Sequence, residues 1–169
     1  SKENTALKIK ALELYQNETG VEDRYLKRYL IHKGAKDKAR KRIDAQLTRN
    51  SNSFPFLHEL YVFLMNNWDG NQQTGKLHQK RVNMKQRRGQ PAKQFYLAYK
   101  AVVDEYMTTV EIMKRYCSNS TYLIRQYGGE EISVDFINAL DPQTKYEFRQ
   151  RLRGHVDFFH DRVREAVEE

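Results

Sequence analysis

The sequence MKQRRGQPAKQFYLAYKAVVDEY, residues 84–106, is the segment from which the architecture of this chain of 169 residues can be worked out. Basic residues come first, a Gly-Gln-Pro break at residues 89–91 follows, and apolar residues three and four positions apart come after the break. This spacing places their side chains on one stripe of an α-helix. Pro91 suits the first turn, because the amide hydrogen that proline lacks would have no partner there. The segment therefore predicts that one helix ends near residues 86–88 and that a long amphipathic helix follows.

The same helical periodicity extends in both directions from this segment. Gly34 is expected to be a C-cap that divides a long helical stretch in two, and Ser133 and the Asp141-Pro142 pair are expected to start helices. No segment alternates apolar and polar residues as a half-buried strand does, so the predicted fold class is all-α. The expected helices cover residues 2–16, 21–47, 55–68, 76–88, 91–116, 122–127, 134–140, 143–153 and 155–169.

The polar sequence NNWDGNQQTG, residues 66–75, is the best candidate for a linker. It contains Asp-Gly, which is a common turn signal, and it follows the most apolar predicted helix of the chain. We therefore expect two small helical bundles that a short linker joins here.

Composition narrows the class of protein. A hydrophobic fraction of 39%, a charged fraction of 31% and a mean hydropathy of −0.88 indicate small helical lobes with thin cores. The sequence has no apolar run of about 18 residues and no basic leader before an apolar stretch, so we expect neither a membrane span nor a signal peptide. Cys117 is the single cysteine, which excludes an intramolecular disulfide and fits a reducing compartment. These features predict a cytoplasmic protein.

The net charge of +8 is unevenly distributed. Residues 22–49 carry +6 and residues 76–93 carry +7, whereas residues 130–169 carry −4. The second basic segment is predicted to contact RNA or, alternatively, the acidic end of another copy, since either partner would be attracted to it. A solvated cationic face on a packed helix is the simplest interpretation of the first basic segment, and a dedicated nucleic-acid site is the alternative. The candidate nucleic-acid contacts are Lys76, Lys80, Arg81, Lys85, Arg87 and Arg88.

Patterns typical of catalytic, metal or cofactor sites do not occur in the sequence. The five histidines show no HExxH or paired His/Cys spacing, and no phosphate-binding glycine motif or GxSxG is present. Glu130 and Glu131 are adjacent, so on a helix they point about 100° apart and are poorly placed to act together as acid and base. We therefore expect no enzymatic activity, no metal, no cofactor and no small-molecule substrate.

The order of the motifs resembles a known family. An apolar helix that ends at an aromatic residue and an acidic turn precedes a basic helix ending in Met84-Lys85-Gln86, a glycine-containing break, an aromatic pair and SVDFINALDP at residues 133–142. This succession resembles the Gag capsid proteins of gypsy-type LTR retrotransposons, which are related to retroviral capsids. The residues that match the family pattern are Gln86, Phe95, Tyr99, Phe136 and Leu140.

The resemblance implies a two-lobed helical capsid protein. It places an N-terminal lobe at residues 1–69, a C-terminal lobe at residues 74–153 and a C-terminal helix or spacer at residues 154–169. Copies would assemble into a virus-like shell around retroelement RNA, so the implied partners are the protein itself and RNA. A monomeric basic helical domain that binds nucleic acid or acts as an adaptor is an alternative, as is a domesticated capsid domain that binds partner peptides.

A dimer contact in the C-terminal lobe would need exposed apolar residues at its centre. The candidates are Tyr116, Tyr122, Leu123 and Tyr127, although these residues would equally suit the core of their own lobe. Replacing Tyr122 and Leu123 by charged residues is expected to leave a folded monomer that no longer assembles. Unchanged particle formation in light scattering would exclude this patch.

Overall fold

The computed structural model describes residues 4–117, 128–152, 158 and 161–168. These residues contain nine α-helices and no strand, so the predicted all-α class is confirmed. A π-helical turn at Leu30–Gly34 follows the second helix directly. The helices are α1 (Thr5–Thr19), α2 (Asp23–Tyr29), α3 (Asp37–Arg49), α4 (Leu57–Asn66), α5 (Gly70–Asn83), α6 (Ala92–Tyr116), α7 (Gly129–Ala139), α8 (Pro142–Arg151) and α9 (Asp161–Glu168).

Local sequence explains where several helices begin and end. The Asn4 side chain accepts a hydrogen bond from the Leu7 amide at 3.2 Å, and Gly20 ends α1 in the left-handed region at φ +71°. Asp141 accepts from the Thr144 amide at 3.0 Å, and Pro142 stands at the first helical position of α8. Both devices satisfy backbone groups that a helix end leaves without partners.

The predicted linker at residues 66–75 is wrong over most of its length, because α5 begins at Gly70. The Asp69 carboxylate accepts a hydrogen bond from the Gln72 amide at 2.9 Å, so Asp69 acts as an N-cap. An aspartate before glycine suits a helix start as well as a turn, since its side chain can accept from backbone amides in both.

Two other predicted boundaries are also wrong. Ser133 does not cap a helix but lies buried inside α7, which starts four residues earlier. The basic helix ends at Asn83, before the expected 86–88.

Gly34 does divide the helical stretch, although by a different mechanism from the predicted C-cap. It ends the π-helical turn without a positive φ. A Cβ at this position would lie 2.6 Å from Cε1 of Tyr29, so any larger residue here would force the Tyr29 ring to move.

The chain divides into two compact units. The first groups Ser1–Gln73 with Thr108–Thr121, and the second groups Thr74–Met107 with Tyr122–Glu169. Both α5 and α6 therefore contribute residues to each unit. The assignment of residues 1–69 and 74–153 to capsid lobes stays a prediction.

In the first unit, α4 packs against α1 and α2. The C-terminal part of α6 is tied to α1, since Asn4 Nδ2 donates to Thr109 Oγ1 at 2.9 Å and Lys10 pairs with Glu111 at 3.0 Å. Phe56 lies within the predicted helix of residues 55–68, but it is the N-cap of α4 and is 68% exposed. The most deeply buried large side chains of this unit are Ile9, Leu30, Ile43, Leu60, Met65, Ile112 and Met113.

In the second unit, the first half of α6 packs with α7, α8 and α9 in one core. The predicted apolar stripe of α6 is buried except at Ala98, which is exposed, and Tyr96 joins the core beside it. Val163, Ala166 and Val167 of α9 belong to the same core. Part of the predicted C-terminal helix or spacer is therefore helical and packed.

Candidate functional site

The residues that carry the family resemblance come together in the core of the second unit. Phe136 is fully buried, and its ring stacks on Phe95 with centroids 5.7 Å apart and meets Tyr99 edge-on at 5.2 Å. Leu140 is buried in the same core. Aromatic pairs at these separations add stability beyond their buried area. These four positions therefore specify packing and not chemistry.

Gln86, the fifth of these positions, holds the segment between α5 and α6 against the turn between α7 and α8. Its side-chain nitrogen donates to the Gln90 carbonyl at 2.8 Å, and its side-chain oxygen accepts from the Asp141 amide at 3.1 Å. The Gln86 amide donates to the Ala139 carbonyl at 2.9 Å. A side-chain amide supplies both a donor and an acceptor, which is what these two backbone segments require.

Arg81 differs from the other candidate RNA contacts, because it is only 4% exposed. Its guanidinium donates to Tyr99 Oη and to Asp135 Oδ2, each at 2.9 Å. Burial alone would lower the pKa of Arg81, but the bonds to Asp135 and Tyr99 outweigh burial and raise it. Arg81 therefore stabilises the second unit and is not placed to contact RNA at the surface.

The remaining candidate RNA contacts lie at the surface of the second unit. Lys76 and Lys80 are exposed on α5, and the other three are exposed in the segment that follows it. These three are Lys85, Arg87 and Arg88. The arrangement can attract polyanions, since exposed cations of one sign are close together in the chain.

The candidate self-association residues are only partly described. Tyr122, Leu123 and Tyr127 lie outside the described residues. Tyr116 is half-buried in the first unit, where its hydroxyl donates to Glu13 Oε1 at 2.7 Å. Tyr116 therefore has an internal role that the sequence analysis did not assign to it.

An apolar groove between α1 and α2 exposes three tyrosines of the first unit. Tyr15, Tyr25 and Tyr29 are each about half exposed, and the groove encloses about 460 Å³. Arg24 lies over the Tyr25 ring at 4.8 Å from its centroid. Exposed tyrosines with a neighbouring arginine are typical of protein–protein contact surfaces.

A second cavity of the first unit is lined by acidic and aromatic side chains and encloses about 290 Å³. Glu13 of α1 accepts from Tyr116 and pairs with Arg115, which also donates to Glu111 at 3.0 Å. Burial and the bond to Glu13 raise the pKa of Tyr116 to about 12. The cavity is lined by Glu13, Gln16, Asn17, Asp23, Leu57, His58, Tyr61, Arg115 and Tyr116.

The sequence analysis missed this cavity because its residues are far apart in the chain. They come from α1, from the start of α2, from α4 and from the end of α6. No spacing within one helix relates positions 13, 23, 61 and 116, so no local signal could have identified them.

Other chemistry is limited in the described part of the chain. There is no group of three or more His, Cys, Asp or Glu side chains placed to hold a metal ion, and no described helix is long and apolar enough to cross a membrane. Burial raises the pKa of the Cys117 thiol, which favours its unreactive protonated form.

Comparison of the chain with protein-family models, with curated proteins and with solved structures finds no match.

Proposed function

We propose that this chain is a structural protein of the retrotransposon-capsid type, which self-associates into a shell that encloses RNA. The observation that supports the proposal most is the shared core of Phe95, Tyr99, Phe136 and Leu140, with Gln86 beside it. These residues were selected from the sequence as the family pattern, and they are buried although they lie as far apart in the chain as Gln86 and Leu140. If these residues matched the family pattern only by chance, they would not be expected to meet in one core.

Surface features of the first unit also support self-association. The groove that exposes Tyr15, Tyr25 and Tyr29 offers apolar area beside Arg24. Residues 22–49 carry a net charge of +6, and residues 130–169 carry −4. A basic surface on one copy and an acidic surface on another attract each other, and weak contacts repeated around a closed ring gain strength from avidity.

Concentration-dependent light scattering after sizing chromatography tests the proposal. The expected result is an apparent mass that rises with protein concentration, together with closed particles in negative-stain electron microscopy. A mass that stays at 20.2 kDa over the whole concentration range would contradict it.

A surface variant makes the assembly test specific. Combining Tyr25→Asp with Tyr29→Asp is expected to keep the helical circular dichroism spectrum, since both side chains are half exposed, and to lower the apparent mass. Tyr146→Asp, at an exposed tyrosine of the second unit, is the matched control and should assemble like the wild type. Equal assembly by all three proteins would exclude the groove as a contact.

A second candidate function is a monomeric RNA-binding domain. The observation that favours it is the exposure of Lys80, Lys85, Arg87 and Arg88, because exposed cations attract polyanions whether or not the chain assembles. The same mass measurement separates the two candidates, because a monomeric domain would bind RNA while keeping the mass of one chain.

A further inference from the structure

The side of α3 that is turned to the surface is strongly basic. Lys38, Arg42 and Arg49 are exposed and follow one another at intervals of four and seven residues, so their side chains lie on one stripe of the helix. Lys41, three residues after Lys38, is exposed beside this stripe. Ile43, on the other side of the helix, is fully buried. We call the exposed side chains of Lys38, Lys41, Arg42 and Arg49 the α3 basic face.

The fold leaves the charge of the α3 basic face uncompensated. Apart from Arg42, its side chains make no ion pair or hydrogen bond within the part of the chain that the structure describes. Arg42 donates to the Asn67 carbonyl, which orients the guanidinium without cancelling its charge. Asp44 pairs with Arg40 at 3.5 Å, and Arg40 is not part of the face. The face is therefore available to an anionic partner.

The length of the α3 basic face suits a polymer of closely spaced negative charges. From Lys38 to Arg49 it extends about 16 Å, since an α-helix rises about 1.5 Å for each residue. A nucleic-acid duplex carries about one negative charge for each 1.7 Å of its axis, roughly twice the charge density of one strand. Several phosphates of a duplex would therefore lie within reach of the face, and cations on one side of a helix would attract them.

The composition of the face distinguishes between polyanions. Single strands are bound largely through aromatic side chains on which the bases stack, and the exposed residues of α3 include no aromatic side chain. A helix that binds a membrane surface buries an apolar face among the lipids, whereas the apolar face of α3 is turned inward at Ile43. Contacts to backbone phosphates need neither feature, so the face suits a duplex best.

We propose that the α3 basic face binds the phosphate backbone of double-stranded RNA. The choice of RNA rests on the proposed function, in which the shell encloses RNA, whereas the choice of a duplex rests on the charge and composition of α3. Lys85, Arg87 and Arg88 belong to the second unit and α3 belongs to the first, so this is a second RNA contact of the chain.

Fluorescence anisotropy with a short RNA duplex at several salt concentrations tests the proposal. Every protein in the test is the full chain with Lys85→Gln, Arg87→Gln and Arg88→Gln, so that these residues do not mask binding by α3. Adding Lys38→Gln and Lys41→Gln to this background is expected to reduce the slope of log affinity against log salt by about 1.8, because each duplex phosphate contact contributes about 0.9.

Two further variants in the same background are the controls. Lys114→Gln with Arg149→Gln removes the same charge from exposed positions outside α3 and should leave the slope unchanged. Lys38→Arg with Lys41→Arg keeps the charge of the face and should also keep the slope. Glutamine and arginine have nearly the helix propensity of lysine, so all variants should keep the circular dichroism spectrum and melting temperature of the background.

The proposal is overturned if the background protein does not bind the duplex, or if adding Lys38→Gln and Lys41→Gln leaves the slope unchanged. It is also overturned if Lys114→Gln with Arg149→Gln lowers the slope equally, since net charge alone would then explain the effect. Tighter binding of a single strand of the same length would contradict the choice of a duplex.

Two measurements on the same variants exclude other partners of the α3 basic face. Loss of sedimentation with phosphatidylserine vesicles at an unchanged RNA slope would assign the face to a lipid surface. A lower apparent mass in sizing chromatography at an unchanged RNA slope would assign it to a contact between copies. An apparent mass that rises with concentration in every variant, while the slope stays constant, would leave the proposed shell intact and overturn only the α3 contact.

Discussion

Tyr99 illustrates how a single residue serves two purposes. Its ring packs in the aromatic core, while its hydroxyl accepts from Arg81 at 2.9 Å. Burial raises the pKa of Tyr99, and the bond from Arg81 only partly opposes the increase. Phenylalanine would pack equally well but would remove one of the partners of a buried guanidinium. The polar end of the tyrosine is therefore what allows an arginine to be buried beside this core.

The Arg81–Asp135 pair yields a prediction for stability. Asp135→Ala removes an acceptor from the buried Arg81 guanidinium, so the free energy of unfolding should fall by about 1–2 kcal/mol. This loss is at the lower end of the range for hydrogen bonds to buried charged groups, because Asp135 itself is 45% exposed. Asp104→Ala, which breaks an exposed pair with Lys100 on α6, should cost less than about 0.5 kcal/mol. Urea unfolding of both variants provides the measurement, and equal losses would contradict the structural role of Arg81.

At the scale of the element, replacing Gly20 and replacing Gly75 by alanine are expected to change the stability of the fold in opposite directions. Gly20→Ala should destabilise the fold by about 1 kcal/mol, since Gly20 ends α1 at φ +71° where a Cβ is strained. Gly75→Ala should stabilise it by about 0.5–1 kcal/mol, because Gly75 is exposed within α5 and a Cβ there meets no heavy atom within 4 Å. Thermal unfolding measures both effects. Shifts in the same direction would contradict the assigned helix boundaries.

The start of α8 makes stability depend on pH. The amide of Thr144 donates to the Asp141 carboxylate and lowers its pKa, so this stabilisation is present above the ordinary aspartate pKa of about 4 and is lost as the pH falls through the lower value. Asp141→Asn keeps an acceptor that does not titrate. Between pH 6 and pH 3 its melting temperature should therefore fall less than that of the wild type, as differential scanning calorimetry would show.

Asp141→Ala is the control for this pH effect. It removes the acceptor altogether, so it should be less stable than the wild type at neutral pH, where Asp141→Asn is expected to be close to the wild type. An unchanged melting temperature of the alanine variant at neutral pH would show that the cap does not stabilise α8.

At the scale of the whole molecule, the distribution of charge leads to a prediction for RNA binding. Affinity for single-stranded RNA should fall log-linearly with salt, and a Lys85→Gln, Arg87→Gln, Arg88→Gln triple variant should reduce the slope by about 2, because each phosphate contact on a single strand contributes about 0.7. Fluorescence anisotropy at several salt concentrations measures the slope.

Two variants serve as controls for the RNA measurement. Arg149→Gln changes an exposed arginine within the acidic end of the chain, and Arg81→Met changes the buried arginine of the basic segment. Neither should alter the slope if binding occurs through the exposed residues after α5. A triple variant with the wild-type slope would show that RNA does not bind there.

Much of the helical architecture follows from sequence pattern. The three-and-four spacing after Pro91 predicted α6 to Tyr116, and Asp141-Pro142 predicted the start of α8. The wrong predictions of helix boundaries concern residue types that occur in more than one kind of local structure. Asp69-Gly70 was interpreted as a turn in a linker, but the aspartate caps α5. Ser133 was interpreted as a cap and lies instead inside α7.

The sequence by itself determined the helical class, the apolar stripe of α6 and the uneven distribution of charge, because periodicity and composition are properties of neighbouring residues. Only the tertiary structure decided that Arg81 is buried against Tyr99 and Asp135, that Gln86 reaches the Asp141 amide, and that Glu13, Tyr61 and Tyr116 line one cavity. These relations join residues from separate helices. They arise from the packing of helix faces in three dimensions, which spacing along the chain does not encode.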